Sequence, residues 1–336
     1  MNIEKNYLPA ISVLMAVFNG ERWLADSIKS VLSQTYTNFE FIIINDGSND
    51  SSLEIIKRFK NIDSRIRMFS KDNSGLADSL NYGIKKAKGE WIARIDADDI
   101  CDIERLQQQL DFVNLNNDVV LLGSGLIIIN ENGMQEKQYH YPANHNNLVK
   151  RISRGLSFFP HSSAFLKLKT VLEVGGYRTQ FKRSQDLDLW LRLSQIGKIA
   201  CLNKPLVSIR KHQEQLSNDN SGKKQSIYSH MAMTSYFMRL SNKQDPIQSC
   251  QDDGKKFYEF INEKLNSNNY FDYISSVKEL KLILSRIGKG YISHSTILIK
   301  KLLLEPKIIY RYIKFRVFGS DLPNKLANVW RNISNE

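Results

Sequence analysis

The sequence predicts an α/β fold with a mainly parallel central sheet flanked by helices, followed by a helical C-terminal extension. Between residues 10 and 130, apolar runs of strand length alternate with amphipathic helical segments. These runs are largely apolar, which is typical of parallel strands buried on both faces. Four strands are predicted, over ISVLMAVF, FEFIII, RIRMFS and EWIARI at residues 11–18, 39–44, 65–70 and 90–95.

A helix is predicted after each strand, because apolar residues recur there at the spacing of one helical face. The second helix is expected to be capped by Ser48 or Asn49, the third to end at Gly89, and the fourth to occupy CDIERLQQQLDFV, residues 101–113. The apolar stripes of the first three helices comprise Leu24, Ile28, Val31 and Leu32, then Leu53, Ile56 and Phe59, then Leu76, Leu80, Ile84 and Ala87.

Length, charge and cysteine content restrict the class of protein. A chain of 336 residues, 42% of them hydrophobic, can bury a sizeable core. Its three cysteines lie far apart without CxxC spacing, which argues against a disulfide framework or thiolate metal site and favours a reducing cytoplasm. We expect no secretory signal and no apolar run approaching the roughly 18 residues that span a bilayer. The net charge of +12 suits nucleic acid, an anionic membrane or a polyanionic substrate.

Polar residues follow each predicted strand. Asn19 follows the first strand, Asn45 and Asp46 the second, Asp72 and Asn73 the third, and the three carboxylates of RIDADDI the fourth. Ligands of such sheets bind beyond the carboxyl ends of the strands. The sequence therefore predicts a binding site at this edge of the sheet.

The acidic segment RIDADDI has two interpretations. In an extended segment Asp96 and Asp98 point the same way and share one Mg²⁺ or Mn²⁺, which keeps open positions for substrate phosphates. Alternatively the acids start the following helix, with Asp98 or Asp99 at its N-terminus. The chain has neither G-x-G-x-x-G after its first strand nor G-x-x-x-x-G-K-[ST], which argues against a dinucleotide fold and a P-loop.

Three segments stand out in this order along the chain: SVLMAVFNGERWLADSIKSVLSQTYTNFEFIIINDGSNDSS, NSGLADSLNYGIKKAKGEWIARIDADD and GGYRTQFKRSQDLDLWLRL. Together they resemble the family 2 glycosyltransferases of GT-A fold, over roughly residues 10–217. The resemblance implies inverting, metal-dependent transfer from a nucleotide-diphosphate sugar, with a UDP-sugar expected, by a catalytic domain spanning 1–217. This sequence departs from the family at three positions. Ala16 stands where family members often have proline, Asn45 where they often have aspartate, and Gln185 where many have glutamate.

The resemblance also implies roles for residues at the strand ends. Ala16 and Phe18 would line the base pocket with Asn19 beside them, and Asp46 would hydrogen-bond the nucleobase. Phe18 could equally be plain core, and Asp46 a turn residue of NDGS. The cluster itself would act through Asp96, near the ribose or metal, and Asp98, the ligand between the ion and the diphosphate.

Asp186 is the predicted catalytic base, taking the proton of an acceptor hydroxyl that attacks opposite the nucleotide. It lies at the start of a helix in RSQDLDLWLRLSQ. Its alternative is a helix N-terminal acid, whose basicity the helix dipole lowers. Asp188 is expected to face away, and the glycines of GGYR, residues 175–178, to be chosen for backbone conformation.

The segment SIRKHQEQLS supplies a predicted diphosphate contact. By resemblance Arg210, His212 and Ser217 close over the diphosphate, with His212 touching phosphate or ligating the metal. A solvated charged loop is the alternative. His161, among apolar residues, is interpreted as a core histidine with satisfied hydrogen bonds.

The C-terminal region, 218–336, is predicted to be helical, without the alternation of strands and helices seen in the first part of the chain. From Arg286 to Arg316 it carries eight bases against the single acid Glu305, interleaved with apolar residues. This pattern predicts peripheral binding to an anionic membrane surface at the cytoplasmic face. A basic helical subdomain that packs on the catalytic core is the alternative. The expected acceptor is a glycan or lipid-linked saccharide of O-antigen or capsule synthesis.

Two other classes of protein could also account for parts of this sequence. A metal-dependent nucleotidyltransferase acting on sugar phosphates would need a glycine loop near the N-terminus and no QDLDLW helix. A nucleic-acid-binding protein would explain the charge, yet the sequence has no recognised binding motif and its acidic cluster opposes a phosphate backbone. The sequence therefore predicts no nucleic-acid partner.

Overall fold

The computed structural model describes residues 8–156, 158–213, 222–249, 254–267 and 322–333. Nine strands among these residues form one sheet. They are β1 Ile11–Val17, β2 Phe39–Asp46, β3 Ile66–Lys71, β4 Trp91–Arg94, β5 Ile100–Cys101, β6 Val119–Ile129, β7 Gln135–Tyr139, β8 Phe165–Lys167 and β9 Lys198–Arg210. The helices are α1 Glu21–Leu32, α2 Ser52–Ile62, α3 Leu76–Lys86, α4 Arg105–Leu115, α5 His145–Ile152, α6 Leu168–Glu173, α7 Gln185–Leu193, α8 Gly222–Leu240, α9 Pro246–Ser249, α10 Lys255–Ser267 and α11 Leu322–Ile333.

The sheet has the strand order β3-β2-β1-β4-β8-β6-β9-β5, with β7 paired to β6. The first four strands are parallel, as predicted. Strand β8 is antiparallel to both β4 and β6, and it joins the parallel half to the pair β6 and β9. The prediction of a mainly parallel α/β sheet is confirmed. Because β1, β2, β3 and β4 point the same way, the segments that follow them leave one edge of the sheet.

Most residues of the predicted helical stripes are buried, and the remaining ones are partly buried. Leu24 and Ile28 of α1 are fully buried, as are Ile56 of α2 and Leu80 of α3. These side chains pack on strands whose own residues are almost all buried, so the parallel half of the sheet is covered by apolar helix faces.

Two helix starts differ from the prediction. Helix α2 begins at Ser52 rather than after Ser48 or Asn49, since the Ser48 hydroxyl accepts a hydrogen bond from the Asn19 amide instead. Helix α4 begins at Arg105, because strand β5 pairs with β9 and separates the helix from the acidic segment. The interpretation of Asp98 and Asp99 as acids at the start of that helix is therefore wrong.

The chain divides into two compact units, residues 1–220 and 221–336. In the second unit, helix α8 confirms the helix predicted there. It packs with α10 and α11. The rings of Phe257 and Phe260 in α10 lie 4.8 and 4.9 Å from the ring of Trp330 in α11. None of the described helices is long and apolar enough to cross a bilayer. The basic segment 286–316 lies outside the described residues.

Candidate active site

The acidic residues after β4 lie on a turn. Residues 97 and 98 form the turn, and the Asp99 amide donates to the Asp96 carbonyl at 3.4 Å. The extended backbone that we predicted is wrong, but the turn still brings carboxylate oxygens of Asp96, Asp98 and Asp99 within 4.8 Å of one another. Asp99 was not predicted as a ligand, and it joins the group because the turn brings its carboxylate beside those of Asp96 and Asp98.

Arg94 and Ser162 hold two of these carboxylates. The buried Arg94 guanidinium donates to both oxygens of Asp96, and its Nη1 lies 3.0 Å from the Ser162 hydroxyl. Ser162 Oγ lies 2.9 Å from Asp96 Oδ2 and also contacts Asp99 Oδ2. Ser162 lies in a 3₁₀ turn, His161–Ser163, that comes from a distant part of the chain. No sequence pattern indicated this serine.

His212 contacts the remaining carboxylate of the group, that of Asp98. His212 Nε2 lies 2.8 Å from Asp98 Oδ2. Burial and the charge of Asp96 raise the pKa of Asp98, and burial with the charges of Asp98 and Asp96 raises that of Asp99 well above its usual value. A divalent cation would relieve this repulsion, and carboxylates are the hard oxygen donors that Mg²⁺ and Mn²⁺ prefer. The donor set therefore fits such an ion.

Arg210 ends β9 beside the acidic turn. Its backbone amide donates to Asp99 Oδ1 at 3.0 Å, and its side chain donates to the carbonyls of Asp98, at 3.2 Å, and Glu131, at 2.9 Å. Arg210 thus stabilises the backbone of the acidic turn. Its contact with diphosphate stays a prediction, as does that of Ser217, which lies outside the described residues.

Asp46 lies at the end of β2 in a dense set of donors. Its Oδ1 accepts from Lys71 Nζ at 2.6 Å and from the Ser74 amide at 3.0 Å, and its Oδ2 from the Gly75 amide at 2.9 Å. Burial acts to raise the pKa of Asp46, but the hydrogen bonds from Lys71 and these amides outweigh it and lower the pKa. Lys71 was not predicted as a site residue, although its parallel register with Asp46 places it there.

The predicted base-pocket residues lie at the end of β1. Phe18 is 51% exposed, so the alternative that it is plain core is wrong. Asn19 has a left-handed backbone, with φ of 51°, and its Oδ1 accepts from the Asn49 amide at 2.8 Å. Ala16 is partly buried within β1. This arrangement leaves the Phe18 ring available to a ligand at the sheet edge.

Asp186 lies in the first turn of α7, and its Oδ1 accepts from the Leu187 amide at 2.8 Å. Desolvation raises the pKa of Asp186, against the Leu187 amide and the charge of Arg94. This direction is opposite to that of an ordinary helix N-terminal acid, whose pKa the dipole lowers. Asp188 is fully buried and pairs with Arg192 at 2.8 Å, so it serves the packing of this region.

The turn before α7 fixes the position of that helix. Gly175 and Gly176 have φ of 81° and 69°, which confirms the conformational reason predicted for them. Asn81 of α3 bonds both the amide and the carbonyl of Tyr177, at 2.8 and 2.7 Å. His161 Nε2 lies 2.7 Å from the Tyr177 hydroxyl, so this histidine has a hydrogen-bond partner, as expected.

Comparison with known sequences gives a consistent result. The sequence model of the family described as Glycosyl transferase family 2 matches residues 12–181. The O-antigen biosynthesis glycosyltransferase WbnJ of Escherichia coli is 38% identical over 189 residues, 55% of this chain and 72% of that protein. The putative glycosyltransferase EpsE of Bacillus subtilis is 33% identical over 193 residues, 56% of this chain and 68% of that protein.

Solved structures resemble the fold at low sequence identity. Residues 1–349 of S. aureus TarS in complex with UDP-GlcNAc superpose with a TM-score of 0.59 at 16% identity, over 96% of this chain and 91% of that one. The mannosyltransferase PcManGT of Pyrobaculum calidifontis, in complex with GDP-Man and Mn²⁺, has a TM-score of 0.54 at 13% identity, over 98% and 89%.

Proposed function

This chain belongs to glycosyltransferase family 2 and has the GT-A fold, and from that premise we propose that it is an inverting, metal-dependent glycosyltransferase using a nucleotide-diphosphate sugar. The observation that carries this proposal is the group of Asp96, Asp98 and Asp99 at the carboxyl edge of the sheet. Asp186 lies in the same compact unit, residues 1–220, and the raised pKa of its carboxyl group suits a general base.

The donor is proposed to be a UDP-sugar, and the acceptor a hydroxyl of a glycan or lipid-linked saccharide. The TarS structures hold UDP and UDP-GlcNAc, and PcManGT holds GDP-Man, which supports a nucleotide-sugar donor. The O-antigen role of WbnJ supports a surface-polysaccharide acceptor. A lipid-linked acceptor would suit an enzyme held at the cytoplasmic membrane face by the basic segment 286–316.

Asp98, with Asp96 and Asp99 beside it, would hold Mn²⁺ or Mg²⁺. Such an ion stabilises the negative charge that develops on the departing diphosphate. Arg94 and Ser162 contact the Asp96 carboxylate and Ser162 the Asp99 carboxylate, which fixes their direction, and His212 does the same for Asp98. Arg210, His212 and Ser217 are proposed to contact the diphosphate, and Ala16, Phe18, Asn19 and Asp46 to bind the nucleoside.

Asp186 is the proposed base. It would take the proton of the acceptor hydroxyl as that oxygen attacks the anomeric carbon from the face opposite the diphosphate, so the product would have inverted configuration. No acid is needed to protonate the leaving group, since a diphosphate leaves as a stabilised anion. One carboxylate of suitable basicity is therefore enough.

A thermal-shift screen of nucleotide sugars tests the donor. With Mn²⁺ present, we expect UDP-sugars to raise the Tm by several degrees, since a ligand at about 100 times its Kd stabilises the folded state by about 2.7 kcal/mol. The same nucleotides with EDTA are the control and are expected to give smaller shifts. Incubation of the best donor with acceptor should release a nucleoside diphosphate. Release of pyrophosphate instead would support a nucleotidyltransferase.

Asp46→Asn is expected to weaken UDP binding by roughly tenfold to a hundredfold, because hydrogen bonds to a charged group contribute about 1.5–3 kcal/mol. The neutral amide also loses the ion pair with Lys71 that orients this side chain. Titration of UDP by calorimetry measures the effect. Asp50→Asn is the matched control, since Asp50 accepts backbone hydrogen bonds in the same loop. Equal UDP affinity in both variants would remove Asp46 from the nucleoside site.

A further inference from the structure

Helix α1 presents a polar face to the acidic turn, separate from its apolar stripe. The Ser27 hydroxyl donates to the Ala97 carbonyl at 2.8 Å, and the Ser30 hydroxyl accepts from the Cys101 amide at 3.0 Å. Trp23 lies one turn before Ser27 on this face. The face therefore follows the segment that carries Asp98 and Asp99, and Trp23 extends it toward the end of β9.

The Trp23 ring is surrounded by basic side chains. Its centroid lies 4.1 Å from that of the His212 ring, with 41° between the planes. The guanidinium carbons of Arg22 and Arg210 lie 4.4 and 5.7 Å from the indole centroid. The electron-rich face of an indole attracts guanidinium groups and packs on imidazole. Trp23, Arg210 and His212 are all buried, so the contacts of the indole with Arg210 and His212 form largely out of water, whereas the Arg22 side chain is about half exposed.

The contact between Trp23 and His212 matters because His212 also contacts the metal-site residue Asp98. His212 lies two residues beyond the end of β9, where backbone pairing no longer sets the direction of its side chain. Its ring contacts Trp23 through one face and Asp98 through Nε2. A group that orients a metal-binding carboxylate commonly changes metal affinity when it is disturbed.

We infer that Trp23 is a positioning residue, which holds His212 against Asp98 and so keeps the Asp98 carboxylate directed into the acidic cluster. This inference rests on the proposed function, since it assumes that the cluster binds a divalent ion. Trp23 itself touches no reacting atom in this role. It acts only through His212 and Arg210, and an aromatic ring is the property that it supplies.

The test compares Trp23→Leu, Trp23→Phe and Trp91→Leu in the full chain. Trp91 is equally buried and stacks on Phe165 at 5.1 Å, but it begins β4, at the opposite end of that strand from the acidic turn. Titration with Mn²⁺ alone is expected to show roughly fivefold weaker binding for Trp23→Leu, from the loss of an aromatic contact. Trp23→Phe should bind within about twofold of wild type because it keeps a ring. Trp91→Leu should leave Mn²⁺ affinity unchanged while lowering the Tm.

UDP titration separates positioning from a general loss of structure. With EDTA, Trp23→Leu should lose less UDP affinity than it loses with Mn²⁺, because only the Mn²⁺ experiment adds the loss at Asp98 to any loss of the proposed diphosphate contacts of His212 and Arg210. Should Trp23→Leu fail to fold, Trp23→Met replaces it, since it fills the space without a ring. Wild-type Mn²⁺ affinity in a folded variant without the ring, or equal loss in Trp91→Leu, overturns the inference and leaves the proposed function standing. Wild type that binds neither Mn²⁺ nor UDP refutes the proposed function itself.

Discussion

Asp98→Asn is expected to lower sugar transfer by about a thousandfold, because a metal ion contributes several kcal/mol to stabilising a developing charge. The amide matches the carboxylate in size and can still bond His212, but it removes one negative charge from the cluster of Asp96, Asp98 and Asp99. Nucleotide binding should therefore lose its dependence on Mn²⁺. Single-turnover transfer assays and Mn²⁺ titration measure the two effects.

Asp102→Asn is the matched control for this variant. Asp102 lies just beyond strand β5, three residues after Asp99. It accepts a hydrogen bond from the Glu104 backbone amide at 3.0 Å, and it lies outside the group of three. Its transfer rate should match wild type within about twofold, since exposed substitutions have small effects. Turnover or Mn²⁺ affinity at the wild-type level in Asp98→Asn would contradict the metal assignment.

The parallel half of the sheet was predictable because its signal is local. Strands β1, β2 and β4 are short apolar runs bounded by polar residues, and their predicted bounds lie within two residues of those observed. Burial on both faces requires such runs. Parallel pairing then places the ends of the strands at one edge, so the approximate site of Asn19, Asp46 and Asp96 follows from the sequence alone.

The contacts within the site were not predictable in the same way. Ser162 reaches Asp96 across 66 residues, and Trp23 reaches His212 from another part of the chain. Such pairings leave no periodicity, because they depend on how distant segments join the sheet: β8 enters antiparallel between β4 and β6, and β9, which leads to His212, pairs with β5 and β6. The turn at Ala97 was missed for a similar reason. Its Asp99 faces inward since the Arg210 amide and Ser162 accommodate its carboxylate.

The register between β2 and β3 would have predicted one further site residue, Lys71. Once β2 and β3 are accepted as parallel neighbours, Asp46 and Lys71 are their last paired residues. A lysine at that position has an evident partner in the aspartate, so the ion pair could have been deduced. The resemblance to family 2 glycosyltransferases did not point to Lys71, because the segments that carry the resemblance end at Ser52 and resume at Asn73.

Asp186→Asn is expected to reduce transfer by roughly a hundredfold to ten-thousandfold, the usual contribution of a general base. Donor binding should persist, because Asp186 is not among the acids that would hold the metal. In wild type the base must be ionised. Desolvation raises its pKa, so transfer should decline, as the pH falls, at a higher pH than an exposed aspartate would give. A profile of kcat/KM against pH measures this.

The stability of the same variant separates catalysis from folding. A carboxyl group whose pKa is raised in the folded state opposes folding above that pKa, where it is ionised in both states. Asp186→Asn should therefore keep or raise the Tm while transfer is lost. Asp188→Asn gives the contrast, because it breaks a buried ion pair with Arg192 and should cost about 3–5 kcal/mol of stability. If Asp186→Asn instead lost Tm and transfer together, the carboxylate would be a structural group and the proposed base would lie elsewhere.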